Sequence, residues 1–260
     1  MIAASRLRKA QETTLNWRSY TERMTGVVER LLSRIPEEAH PLLTARKPRK
    51  LELFVITSDK GLCGGFNLTI CQKVEQFIAG NQQNFEDIAI TIVGKRGRDY
   101  FKRRPVKVRQ EFAQPLRESA HEWVSTGTHD IIEQYLADTF DTCYLCYHRF
   151  KSILQQVVVM DKLLPLKEPE SETLPIGYLF EPDRNAVLDK VLPQYLETRI
   201  CAALYESTTS EYAARMSAMD QASKNAGEMI DLLTLYFNKV RQGMITKELM
   251  DIVGGAEALL

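Results

Sequence analysis

Both ends of this 260-residue chain carry apolar residues at a spacing that only a long helix can use, so any fold must find room for two such helices. Near the start, Ala3, Leu7, Ala10, Thr14, Trp17, Thr21, Met24, Val28, Leu31 and Ile35 step alternately by four and by three. That 3.5-residue period keeps one seam facing a partner helix in a left-handed supercoil. Pro36 removes a backbone donor and crowds the previous turn, which predicts a helix over residues 1–35. Its length would be about 50 Å, more than a compact domain requires. Near the end, Met216, Met219, Ser223, Ala226, Ile230, Leu233, Phe237, Val240 and Met244 repeat the alternation, and the pattern runs on through Leu249 and Ile252. Ala213, Ala214, Ala218, Ala222 and Ala226 permit close approach by another helix or a narrow sleeve. Polar Thr14, Thr21 and Ser223 on the seams suit a thin two-helix contact better than a deep core. The expectation is a long antiparallel coiled coil between residues 1–35 and 187–258 of the same chain.

Residues 50–182 have a different texture. Apolar runs at 51–57, 88–93, 143–147 and 156–160 read as strands, with an edge strand at 178–180, and helical patterns fall at 68–79, 96–103 and 120–136. Strand–helix alternation predicts a small α/β domain with a largely parallel sheet. The proline- and glutamate-rich stretch 165–175 reads as an exposed loop.

The motifs exclude more chemistry than they offer. Lys+Arg and Asp+Glu both number 34, so no global field recruits nucleic acid or an anionic membrane. No segment has the roughly 18 consecutive apolar residues of a membrane span. Cys143 and Cys146 lie three apart in a predicted strand and face opposite sides, so they do not converge on one ion. The five cysteines read as reduced structural thiols. The segment from Ser58 to Gly65 sits between a strand and a helix, where phosphate loops lie, yet it lacks both the Walker and the dinucleotide glycine patterns. It reads as a structural turn. The basic run from Lys95 to Arg104, followed by Lys107 and Arg109, could grip phosphates, but a solvated face or an acidic neighbour fits the balanced charge better. The four histidines are scattered and no nucleophile constellation is present.

Several segments resemble, in order along the chain, the gamma subunit of F-type ATP synthases. They are Met1-Ile2-Ala3-Ala4-Ser5-Arg6-Leu7-Arg8-Lys9-Ala10-Gln11, Ile56-Thr57-Ser58-Asp59-Lys60-Gly61-Leu62-Cys63-Gly64-Gly65, and Gly97-Arg98-Asp99. Tyr178-Leu179-Phe180-Glu181-Pro182-Asp183, Glu211-Tyr212-Ala213-Ala214-Arg215-Met216-Ser217-Ala218-Met219 and Asn238-Lys239-Val240-Arg241-Gln242 continue the series. Members of that family usually carry about three further heptads of basic helix before the first of these segments, so Met1 falls where they have an internal methionine.

The resemblance implies an asymmetric coiled coil with a central Rossmann-like α/β domain, acting as a non-catalytic rotor without cofactor or metal. It implies one copy per complex, inside a ring of alpha and beta subunits, with the epsilon subunit and the ring of c subunits at its foot. It further implies a peripheral location on the cytoplasmic face of a bacterial inner membrane. By the same resemblance Arg241, Gln242 and Thr246 match positions that contact the moving loop of beta, and Tyr178, Phe180 and Glu181 match the region touching the c ring and epsilon. The alternative reading is a small nucleotide-binding α/β enzyme with helical dimerisation arms.

Overall fold

The computed structural model describes residues 2–33, 35, 36, 39–115, 120–166, 181 and 183–257. In chain order the elements are α1 (Ile2–Leu32), β1 (Lys50–Ile56), α2 (Phe66–Asn81), β2 (Asp87–Val93) and α3 (Lys95–Phe101). Then come β3 (Lys107–Phe112), α4 (Ala120–Leu136), β4 (Thr142–Phe150), β5 (Gln156–Leu164) and α5 (Arg184–Glu257). They form two compact units, Met1–Ser217 and Ala218–Leu260.

The heptad seam of α1 is a packing seam. Leu7, Ala10, Thr14, Val28 and Leu31, with Ile35 beyond the helix, are buried, while Trp17, Thr21 and Met24 are half-buried. The facing surface is the first part of α5. Thr14 Oγ1 lies 2.8 Å from Thr209 Oγ1, Trp17 stacks on Tyr205 with ring centroids 5.5 Å apart, and Arg18 pairs with Glu206. Residue numbers rise along one helix as they fall along the other, which makes the pair antiparallel as expected. Asp183 starts α5 by accepting a hydrogen bond from Ala186 N at 3.0 Å, satisfying one of the free amides of the first turn.

The five strands are ordered β3-β2-β1-β4-β5. β1 pairs in parallel with β2 and with β4, β2 pairs in parallel with β3, and only β5 runs antiparallel, against β4. From β1 the chain steps outward twice through α2 and α3, then returns through α4 to the opposite side of β1. Crossovers of one hand therefore place helices on both faces. Leu51, Leu53, Val55, Ile90 and Ile92 pack on Ile70 and Val74 of α2 and Phe101 of α3. On the other face Phe54, Ile56, Leu145 and Tyr147 meet Val124, Ile131 and Tyr135 of α4 and Leu192, Leu196 and Ile200 of α5. Cys143 belongs to the second of these clusters and Cys146 to the first, so the two thiols do point through opposite faces.

β3 was hidden from sequence reading because its residues, Lys107 to Phe112, carry mostly charged and polar side chains. Those charges are satisfied sideways across the sheet. Arg109 Nε donates to Glu52 Oε2 at 2.8 Å, and Thr91 donates to Glu52 Oε1 at 2.6 Å, joining β3, β2 and β1. Burial raises the Glu52 carboxyl above its usual range, and these two donors oppose that rise. Three more of the cations in the basic run meet acids: Lys107 with Asp87, Arg104 with Glu75, and Arg98 with Asp99 and Glu111. Part of the run is therefore engaged in local ion pairs within the chain.

The second seam has a different fate. From Met229 to Val253 every large apolar residue of α5 is exposed, including Ile230, Leu233, Phe237, Val240 and Met244. With 31 residues against 74, α1 is too short to line α5 throughout.

Candidate functional site

α5 buries a run of polar residues that a helix in an apolar core would not choose. Thr198, Glu206, Ser207, Thr209, Ser210 and Glu211 are each at most 6% exposed. The cause lies in the sheet. β1 pairs with β4 only over Thr142 to Cys146, so the last residues of β4 overhang with backbone groups open on that side. Buried backbone donors and acceptors need partners. Glu206 and Ser210, one helical turn apart, supply them. Phe150 N donates to Glu206 Oε2 at 2.8 Å, and Ser210 Oγ donates to His148 O at 3.3 Å. Arg18 of α1 completes the group: its Nη2 donates to Phe150 O at 2.6 Å and to Glu206 Oε2 at 2.8 Å, while its Nε bonds Glu206 Oε1.

One turn further, α5 grips the loops at the carboxyl ends of the strands. Arg215 Nη2 donates to Gly61 O at 3.3 Å, to Lys60 O at 3.4 Å and to Glu211 Oε1 at 2.6 Å. Gln114, beyond β3, donates through Nε2 to Glu211 Oε2 at 3.0 Å. Asp59 Oδ1 accepts from Lys95 N at 2.9 Å and Gln114 N at 3.3 Å, so the loops after β1, β2 and β3 are tied to one another. Their approach is close. Gly94 has φ +100°, and a Cβ there would sit 2.5 Å from Thr57 O.

Doubly wound sheets hold ligands in the crevice beyond the strand ends where strand order reverses, here between β1 and β4. In this protein α5 crosses that crevice. The segment from Ser58 to Gly65 turns the carbonyls of Lys60 and Gly61 toward Arg215, where a phosphate site would need amides. Among the described residues no cluster of His, Cys, Asp or Glu could hold a metal ion, and no helix is long and apolar enough to cross a membrane.

Burial favours the neutral forms of the buried thiols and of His148. Burial pushes the Cys71 and Cys201 thiols up to about 12 and holds Cys143 well above the usual range. The His148 imidazole stacks on Phe66 with ring centroids 4.1 Å apart, its Nδ1 has no hydrogen-bond partner, and burial lowers its pKa to about 4.

Arg241, Gln242 and Thr246 are all exposed on α5. Thr246 Oγ1 donates to Gln242 O at 2.8 Å, which sets those two on adjacent turns of one face. Glu181 is exposed, whereas Tyr178 and Phe180, with the expected edge strand at 178–180, lie outside the described residues. The grip residues Arg18, Glu206, Ser210 and Gln114 were not singled out from sequence, and Asp59, Glu211 and Arg215 entered only as motif members. Their signal is faint: Glu211 and Arg215 are four apart on one helix.

Comparison with known proteins agrees with this architecture. The family model described as ATP synthase matches residues 1–259. The ATP synthase gamma chain of Anaeromyxobacter sp. (strain K) is 42% identical over all of this chain and 91% of its own length. That of Geobacter metallireducens is 39% identical over the same shares. Among solved structures, a chain in the central stalk/c-ring structure of the Tetrahymena thermophila mitochondrial ATP synthase aligns with a TM-score of 0.61 at 23% identity. It covers 86% of this chain and 100% of that one. A chain of the Euglena gracilis mitochondrial enzyme aligns with a TM-score of 0.62 at 18% identity, over 98% and 95%. These two likenesses concern the fold, while the family rests on the sequence matches. With two helices gripping a doubly wound sheet and close sequence relatives along its whole length, this chain belongs to the ATP synthase gamma chain family.

Proposed function

We propose that the chain is the central-stalk rotor of a membrane-associated ATP synthase. In this reading the sheet is the foot, held by the c ring and the epsilon subunit, and α5 is the shaft turning inside the ring of alpha and beta subunits. Ion flow turns the foot. The asymmetric shaft then presents a different face to each beta subunit in turn and favours a different conformation in each, so the chemistry stays in beta. The membrane face would be the cytoplasmic one.

The observation that carries this is the surface of α5 beyond Ala218. Met229, Leu232, Leu235, Tyr236 and Met250 are exposed in addition to the heptad seam, so apolar side chains lie all round the helix. A two-stranded coiled coil needs one stripe. A helix apolar on every side needs an enclosure, which a ring of subunits supplies. Arg241 would make a charge-assisted contact with beta carboxylates, with Gln242 and Thr246 beside it. Glu181, with Tyr178 and Phe180, would face the c ring and epsilon. The nucleotide-binding alternative has no such support, because α5 fills the crevice it would need.

Reconstitution tests the reading. The chain is mixed with alpha and beta subunits of the same source, and size exclusion and ATP turnover are measured. A stable complex with stimulated turnover is expected, and weaker stimulation with Arg241→Ala. No complex, from alpha and beta subunits that do assemble with a longer gamma chain, would remove the assignment for the chain as it stands.

A further inference from the structure

We propose that Arg18 and Glu206 form the joint that sets the torsional stiffness between the sheet and the shaft helices. The proposal rests on the rotor reading and assigns a mechanical role to particular residues within it. Three elements meet at one point: α1 through Arg18, α5 through Glu206, and β4 through the backbone of its last residue, Phe150. Both polar groups of Phe150 are held, the N–H by the Glu206 carboxylate and the carbonyl by the Arg18 guanidinium.

Two features suit this bracket to carrying load. It grips main chain, so a twist of the sheet reaches the helices without first being taken up by rotation of a strand side chain. It is also charge-assisted, and Arg18 meets the Glu206 carboxylate through two nitrogens, so its planar fork resists both sliding and rotation. The neighbouring Thr14–Thr209 bond has neither feature. It ties α1 to α5 alone and leaves the sheet free. The two contacts lie in the same helix pair, and only one reaches β4. That difference separates a joint from ordinary helix packing.

The experiment uses the complex with alpha and beta subunits, its head fixed to a surface and a probe on the sheet. Angular variance of the probe is recorded with rotation arrested, and it rises as the joint softens. R18Q and E206Q should each raise the variance at least about twofold, since each breaks charge-assisted bonds to main chain. R18K keeps the charge without the fork and should fall between them and the wild type, which preserves the test if a neutral variant does not assemble. T14V/T209V should match the wild type. Unchanged variance in R18Q, E206Q and R18K would overturn the joint, as would equal softening by T14V/T209V. If the wild-type complex shows no ATP-driven rotation at all, the rotor reading falls and takes the joint with it.

Discussion

One helix carries two opposite surfaces. Between residues 198 and 211, α5 hides threonines, serines and two glutamates; between Met229 and Val253 it exposes isoleucines, leucines, methionines and aromatics. Each half breaks the usual rule for a soluble helix, and each for its own reason. The buried polar half works because both of its buried glutamates are partnered within the chain: Glu206 has Arg18 and Phe150 N, and Glu211 has Arg215 and Gln114. The exposed apolar half has no partner of that kind within this chain among the described residues. Burial alone therefore does not reveal which half does what. The informative quantity is whether a residue's requirement is met inside the chain or has to be met by another molecule.

The sharpest way to break the comparison is to remove one partner from the buried half. Arg215→Ala would leave the Glu211 carboxylate buried with Gln114 alone and release the carbonyls of Lys60 and Gly61. Losing one member of a buried pair costs about 3–5 kcal/mol, which urea unfolding of the whole chain would read as a lower midpoint. A loss under about 1 kcal/mol would put this contact with weak surface pairs and undo the claim that the buried half is satisfied from within.

Acid probes the strand that this half grips, and more gently. His148 is stacked on Phe66 and neutral, with a folded pKa of about 4. An unfolded histidine titrates near about 6.5. As pH falls the unfolded chain binds the proton first. This contribution to stability is therefore complete above about pH 6.5 and is lost as pH falls toward 4, by about 3 kcal/mol in all. Measured as a difference, the stability of the wild type minus that of His148→Leu should shrink by about 2–3 kcal/mol between pH 7.5 and 4.5. The carboxylates common to both proteins cancel. A pH-independent difference would mean that the imidazole is solvated in the fold.

Much of this architecture is legible in the sequence, for reasons that differ by element. α1 was readable because its seam is covered by α5 and the core, so the period of its apolar residues records a real contact. The strands β1, β2 and β4 were readable because helices cover both faces and leave near-continuous apolar runs. β3 was not, since Arg109 reaches across to Glu52 and an edge strand can satisfy charge sideways without an apolar pattern. The grip residues were illegible for a related reason. Glu206 and Ser210 answer to the unpaired end of β4, and which strand overhangs its neighbour is a property of register, absent from local spacing. The heptad seam of the far half of α5 is periodic, but apolar residues outside it, such as Leu232 and Leu235, are exposed as well, so the period alone does not describe that surface.

The smallest effect is expected where sequence reading alone would predict a large one. Phe237 is a seam residue and 63% exposed. Were it packed in the isolated chain, Phe237→Ser would cost about 3–5 kcal/mol, as truncation of a core aromatic does. Because the side chain stands in solvent, the change in unfolding free energy of the chain should stay within about 0.5 kcal/mol. On the proposed rotor reading, the same substitution should weaken assembly with the alpha and beta subunits, whose enclosure would cover the side chain. The contrast between the two assays is the measurement that matters. A loss of stability in the isolated chain would mean that the far half of α5 finds its own cover, and α5 would then have one kind of surface instead of two. Loss in neither assay would leave the exposed face without a partner and withdraw the argument that it is built to be enclosed.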